Sequence, residues 1–286
     1  LSGVVSDDSK SITIKEASEI YFQTHSIEKA KSELVFISMA PVVLQKLAQS
    51  KRFADAKLSY CIKDVNSQHD IQFYAIRIDL AKDLTYLSFC GTDDTVVGWK
   101  EDFNLSFMDK TSGQQEAICY LNKAFADDNS VIRLGGHSKG GNFAIYSSLF
   151  CDEAIRSRIA NIYSYDGPGF RDEVIESDVY KSMLPKIKCF IPQVSIVGML
   201  LGSGSEPKIV KNSAIGIKQH FSYNWELKRN RFILVDKLKK SGDVINKAIS
   251  GMLDDFSDTE REIFTESLFE ILQAPDKETL KELNKL

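Results

Sequence analysis

The apolar positions change period along the chain. Over the first fifty residues, Ile20, Tyr21, Ile27, Leu34 and Ile37 recur at helical spacing, and Pro41 suits the first turn of a helix through Val43, Leu44 and Leu47. Three segments rich in β-branched and aromatic residues follow: Leu58 to Val65, Ile71 to Ile78 and Leu84 to Phe89. Asn66 to Asp70 reads as the turn joining the first two. Helical spacing returns from Gln114 to Ala126, with Ile118, Leu121 and Phe125 on one face. Then comes a regular alternation. Strands are expected at Val131 to Leu134, Ile159 to Tyr165, Ile187 to Ile191 and Phe232 to Val235. Helices are expected at Gly140 to Phe150 and Val174 to Leu184. Strands separated by helices imply right-handed crossovers, hence an α/β fold with a mostly parallel sheet and helices on both faces.

The tail reads as helical and charged. Ser257 with Glu260 forms a capping-box signature ahead of Ile263, Phe264, Leu268, Ile271 and Leu272; Pro275 ends that helix, and Asp276 to Leu286 reads as a last short one. With no internal repeat or low-complexity segment, one domain over 1–286 is the simplest organisation. It would comprise an N-terminal helical part to residue 54, a core from 55 to 236 and C-terminal helices from 237.

Composition narrows the function classes. A net charge of -4 over 286 residues gives no general basic footprint, which argues against nucleic acid as a partner. The basic stretch Lys228 to Lys240 alternates with apolar residues and reads as a solvated strand face and helix start. Five scattered cysteines, never in a C-x-x-C pair, argue against a disulfide framework and for a reducing, cytoplasmic setting. No two of the four histidines sit at metal-ligand spacing, so neither a metal nor a cofactor is expected. No run approaches the roughly 18 apolar residues of a membrane span, although peripheral membrane contact stays compatible. The chain begins with Leu1 rather than Met, so the natural start can lie upstream.

Candidate chemistry begins between the strand ending at Leu134 and the helix beginning at Gly140. Gly136-His137-Ser138-Lys139-Gly140 matches G-x-S-x-G. The pattern alone would arise in roughly one random chain in ten, so its strand-before, helix-after context carries the weight. That context is what a nucleophile elbow of the α/β-hydrolase fold requires. The serine sits on a strained turn, and the glycines leave room for close strand–helix packing. Phosphate-loop readings fail, because neither G-x-x-x-x-G-K-[ST] nor G-x-G-x-x-G is present.

A serine hydroxyl needs a base, and this fold orders its triad Ser, acid, His. His220 is the single histidine after Ser138; His137 holds the motif's variable position and reads as shaping the turn. Asp166 directly follows the strand ending at Tyr165, where carboxylates point into the ligand crevice of an open α/β sheet. The competing account is a turn aspartate capping its own Gly-Pro turn. Asp172, Asp178 and Glu206 are weaker contenders that helix or loop surfaces explain. For an oxyanion hole, the backbone N–H of Lys139 would supply one donor, and Thr92, at the turn ending Leu84 to Thr92, would supply the other.

Phe89-Cys90-Gly91-Thr92-Asp93, followed by Trp99 and Asp102, resembles the F-R-G-T…D-W…D signature of class 3 (fungal-type) lipases, and Gly136 to Gly140 matches their G-H-S-x-G. The longer strings Gly98 to Asp102, Gly136 to Asn142 and Asp166 to Phe170 look more like a bacterial branch of intracellular lipase-like hydrolases. The resemblance spans roughly residues 55 to 235. It implies an α/β-hydrolase acting on an ester or lipid-like substrate, with Thr92 as oxyanion donor. Two departures stand out. Cys90 replaces the signature arginine, and the position aligning with the lipases' catalytic aspartate is Ser195. Either the acid has moved one strand earlier, to Asp166, or a weakened dyad assisted by Ser195 remains.

The expectation is therefore acyl transfer by Ser138 with His220 as base. Val96, Val97, Phe103, Leu105, Phe107 and Met108, with Ile196, Val197, Met199, Leu200 and Leu201, are candidates to line the mouth. The same residue set would serve a thioesterase or amidase, and Cys90 and Ser195 leave open a degenerate hydrolase with a binding or regulatory role.

Overall fold

The computed structural model describes residues 1–26, 39–93, 95–239, 255–273 and 279. Strand β1 (Ile12–Thr13) runs into α1 (Ile14–Thr24), where Thr13 and Glu16 form a reciprocal capping box. Helix α2 (Ala40–Ala48) carries Pro41 in its first turn. Strands β2 (Lys57–Asn66), β3 (Ile71–Ala81) and β4 (Leu84–Phe89) follow, then α3 (Val96–Asn104) and α4 (Ser112–Phe125). Next come β5 (Val131–His137), α5 (Lys139–Phe150), α6 (Glu153–Arg156), β6 (Ile159–Tyr165), α7 (Asp172–Ile175) and α8 (Asp178–Met183). The last described elements are β7 (Ile187–Pro192), β8 (Lys208–Val210), β9 (Leu227–Lys228), β10 (Arg231–Phe232), β11 (Leu234–Val235) and α9 (Asp258–Gln273).

Connection length decides strand direction. Only four residues join β2 to β3 and two join β3 to β4, so those pairs are antiparallel. Between β4 and β7 every connection carries helices long enough for a crossover, and the five central strands β4 to β8 run parallel in that order. Among the described residues the main sheet holds nine strands, with β1 and β11 as antiparallel edges.

The core forms where strand alternation meets helix faces. Phe73, Leu87, Phe89, Ile132, Leu134 and Ile162 pack with Leu121 and Phe125 of α4 and with Phe143 and Leu149 of α5. Helix α5 is buried along nearly its whole length, which explains its run of small and apolar residues. A smaller cluster, Val5, Ile14, Ala17, Ala56 and Leu58, seats α1 against β2.

Several expectations change in detail. The α1 face that packs is Ile14, Ala17 and Ser18, while Ile20 is exposed. The helix expected at Val174 to Leu184 is two short helices, because Ser177 caps a new start through the Tyr180 N–H. The strand expected at Phe232 to Val235 is split: β10 pairs with β9, whereas β11 pairs with β8. In α9 the capping box forms, yet Ile263 and Ile271 face outward and Thr265 and Phe269 are the buried residues. Ile27, Leu34, Ile37, Pro275 and, apart from Thr279, which forms an isolated bridge with Thr95, the short helix expected at 276–286 lie outside the described residues.

Strand register prepares the site. Phe89 pairs with Gly136, His137 with Tyr165, and Tyr165 with Phe190. Residues one step beyond, Ser138 and Asp166, therefore emerge side by side at the same end of the sheet. Replacing core Leu134 by Ala should cost about 2–5 kcal/mol of stability, and Ile263→Ala on the exposed face of α9 less than about 0.5 kcal/mol. Urea unfolding of both variants checks this; equal losses would contradict the packing described.

Candidate active site

Ser138 is where β5 stops and α5 starts. Its φ of 58° lies in the left-handed region, which for a residue with a side chain is strain of roughly 1–3 kcal/mol. Its N–H still donates to the Tyr165 carbonyl at 3.0 Å, continuing the sheet ladder, and its carbonyl accepts the Gly141 N–H at 2.8 Å. Glycine is needed on either side because backbone meets backbone. A Cβ on Gly136 would stand 2.3 Å from the Gly140 carbonyl carbon, and one on Gly140 would stand 2.4 Å from the Phe89 oxygen.

The β4 end closes on the same turn. A Cβ on Gly91 would lie 2.6 Å from the His137 carbonyl and 3.0 Å from the Ser138 Cβ, so the Cys90–Thr92 loop touches the serine residue directly. Cys90 donates its backbone N–H to Tyr74 at 2.9 Å. Backbone packing and pairing thus hold this loop where the lipase signature has an arginine. The Thr92 hydroxyl donates to Asp102 Oδ2 at 2.6 Å. Asp102 is half-buried with its Oδ1 shielded from solvent and without a hydrogen-bond partner, and this desolvation pushes its carboxyl up to about 6 against the pull of Lys139 and Thr92.

One strand over, Asp166 also adopts a positive φ, 53°, and its side chain is fully buried. It does not cap its own Gly-Pro turn. Oδ1 accepts from the Ser195 hydroxyl and from the Gly198 N–H at 3.2 Å, and Oδ2 lies 2.7 Å from His220 Nδ1. A carboxylate can only accept, so the His220 proton sits on Nδ1 and the lone pair on Nε2. The structure places Ser195, the other residue considered for the acid position, as a hydroxyl donor to the Asp166 carboxylate. Asp172, Asp178 and Glu206 are not among these partners; Asp172 and Asp178 occupy the first turns of α7 and α8.

The His220 segment is fastened from several sides, and these fasteners were not found from sequence. His137 Nε2 donates to the His220 carbonyl at 2.7 Å, and the two rings lie 4.4 Å apart. Gln219 is buried; its Oε1 accepts from the Val194 N–H at 3.0 Å, and its carbonyl accepts from Asn212 Nδ2 and Trp225 Nε1. Nothing periodic marks such amide and indole anchors, so sequence pattern carried no signal for them.

Lys139 shows no exposed surface, and neither does Glu101 of α3, whose carboxylate lies 2.9 Å from the ammonium. Of the residues expected to line a mouth, Val96, Val97 and Leu105 are core, and Phe103 packs on the Phe264 and Phe269 rings of α9. The 192–204 stretch supplies Ser195 and Gly198 as donors to Asp166. Among the described residues, no group of three or more His, Cys, Asp or Glu side chains is placed to hold a metal ion, and no helix is long and apolar enough to cross a membrane.

Burial, reinforced by repulsion from His220, lowers the His137 pKa from 6.5 to about 4. With the folded value below the unfolded one, the neutral ring contributes stability in full above pH 6.5 and loses it as pH falls towards 4. The loss is on the order of 3 kcal/mol. His137→Gln should therefore flatten the decline in unfolding free energy between pH 7 and pH 4. Unchanged pH dependence in urea titrations would contradict a desolvated, neutral His137.

A family model described as Mbeg1-like matches residues 47–270. Solved structures similar to the chain include that of M37 lipase, 14% identical, with a TM-score of 0.39 and coverage of 59% of this chain and 67% of that one. Another is a fungal lipase–inhibitor complex, presented as a model for interfacial activation in lipases. It is 13% identical, with a TM-score of 0.42 and coverage of 72% of this chain and 83% of the lipase. No curated protein matches the chain.

Proposed function

This chain belongs to the Mbeg1-like family, and we propose that it works as a serine hydrolase that cleaves carboxylic esters through an acyl-enzyme. The observation that carries the reading is the 2.7 Å contact between buried Asp166 and His220 Nδ1, one strand from a strained serine at a G-x-S-x-G turn. A buried carboxylate facing Nδ1 does for the imidazole what a triad acid does: it fixes the tautomer and stabilises the imidazolium.

On this reading Ser138 Oγ attacks the ester carbonyl carbon while its proton passes to His220 Nε2. The carbonyl oxygen, now negative, is held by the backbone N–H groups of Thr92 and Lys139. The Thr92 hydroxyl hydrogen is committed to Asp102, so this reading assigns the oxyanion contact to the backbone N–H. Collapse of the tetrahedral species breaks the C–O bond, and Nε2–H protonates the departing alkoxide. Water then attacks the acyl carbon while its proton passes to Nε2; collapse breaks the bond to Ser138 Oγ, which takes the proton back from Nε2 as the acid leaves. Asp166 stays ionised throughout.

The fold and the lipase resemblance support an ester or lipid-like substrate. A thioester or amide would use the same groups. The five cysteines are all unpaired, which suits a reducing, cytoplasmic location, and peripheral contact with a membrane is consistent with a greasy substrate. The bacterial intracellular branch remains the resemblance we favour.

A fluorophosphonate probe should label the wild type and leave Ser138→Ala unlabelled. Asp166→Asn should lower kcat on a p-nitrophenyl ester on the order of ten-thousand-fold, as expected for loss of a triad acid. Ser195→Ala removes one of three donors to Asp166 and should cost about tenfold, since the 2.7 Å contact survives. A wild type that neither labels nor hydrolyses short esters would replace the hydrolase reading with a binding role. An Asp166→Asn variant as active as wild type would remove Asp166 as the acid.

A further inference from the structure

We propose that the buried Glu101–Lys139 ion pair is a positioning device that sets the two oxyanion donors at a working separation; this rests on the hydrolase reading above. The pair stands directly behind the elbow. Lys139 follows the nucleophile, and its own backbone N–H is one proposed donor. Its ammonium meets Glu101 Oε2 at 2.9 Å, the Gly98 carbonyl at 3.4 Å and the face of Phe143 at 5.6 Å. Both side chains have zero exposed surface.

The Glu101 carboxylate is otherwise saturated by protein. Oε1 accepts the Gly113 N–H at 2.7 Å and the Thr111 hydroxyl at 3.2 Å, and Oε2 also accepts the Gln72 N–H at 3.2 Å. Gly113 is required there, since a Cβ would come within 2.1 Å of Oε1. One carboxylate thus joins β3, the start of α4 and the elbow. The next residue along α3, Asp102, holds the Thr92 hydroxyl. Two consecutive helix residues therefore grip the two halves of the proposed oxyanion hole. Glu101 grips the Lys139 side through its ammonium, and Asp102 grips the Thr92 side.

Stability does not explain the pair. Taking two charges out of water costs several kcal/mol each, and well-packed apolar residues of similar volume often stabilise as well or better. What an ion pair adds is one permitted geometry. Misplacing a catalytic group by about 1 Å can cost on the order of a hundredfold in rate, so a helix that fixes both donors has a function a greasy contact would not supply.

The test compares wild type, Glu101→Gln and the double variant Glu101→Met/Lys139→Met in the full chain. Melting temperature, kcat and KM on p-nitrophenyl butyrate, and inhibition by an alkyl boronic acid are measured for each. The boronic acid forms a tetrahedral adduct on a serine and so reads the oxyanion donors. The double variant leaves the Gln72 and Gly113 N–H groups and the Thr111 hydroxyl without their acceptor, so it should melt lower than wild type yet stay folded, keep KM within about twofold, lose roughly ten- to a hundredfold in kcat, and bind the boronate more weakly by a similar factor. A merely structural pair would move the melting temperature and leave kcat and boronate affinity together. A folded double variant or Glu101→Gln with kcat and boronate affinity within twofold of an active wild type overturns this proposal alone. Failure of both variants to fold makes the pair structural and also overturns it. A wild type that neither labels with fluorophosphonate nor turns over ester overturns the hydrolase reading with it.

Discussion

A carboxylate with no exposed surface is tolerable only when donors take the place of water, and Asp166 is the point where that demand organises the molecule. Its three donors are the Ser195 hydroxyl, the Gly198 N–H and the imidazole of His220. They come from the loop after β7 and from a segment 54 residues beyond Asp166 in the chain. Satisfying one charge therefore draws together the end of β6, the 193–200 loop and the His220 segment. The left-handed φ of Asp166 is a local cost that this convergence offsets. The Ser195 hydroxyl, on the loop after β7, is one of the donors that make this buried carboxylate tolerable.

The second constraint is close approach. Parallel strands β4, β5 and β6 end level, and the glycines at 91, 136 and 140 let the loop after β4 and the start of α5 meet without side chains between them. The serine residue is thereby pressed against the loop carrying Thr92. Helix α3 then locks the two halves from behind, and α9 covers α3 through Phe103, Phe264 and Phe269 and through Lys100, which bridges Asp70 and Glu266. The C-terminal helix thus buttresses the site at one remove.

Much of this was legible in the sequence because it rests on short-range pattern. The strand–Gly-His-Ser-Lys-Gly–helix order located the strained turn at Ser138, and chain order drew attention to His220, which the structure sets against Asp166. The position after a buried strand singled out Asp166, although a turn-capping role remained open until its partners were known. Other features depend on long-range polar packing that periodicity does not encode. Lys139 and Glu101 are charged residues in ordinary-looking helix segments, and only the three-dimensional meeting of residues 38 apart makes them a buried pair. Asn212 and Trp225 fasten the histidine segment by donating to the Gln219 carbonyl, and Gln219 by accepting the Val194 N–H on its side chain, which no motif announces. In α9 the apolar positions were read correctly as helical but not by face. The docking partner is α3, and it selects Thr265 and Phe269 over Ile263 and Ile271.

The central claim is that one serine, one imidazole and two backbone donors act on the same carbonyl. A crystal structure of the protein after reaction with a monoalkyl fluorophosphonate tests it most directly. The account predicts phosphorus bonded to Ser138 Oγ, the phosphoryl oxygen within about 3 Å of the N–H groups of Thr92 and Lys139, and His220 Nε2 facing the adduct while Nδ1 keeps its contact with Asp166. Phosphorus on another residue, or a phosphoryl oxygen turned away from both N–H groups with His220 withdrawn, would contradict it.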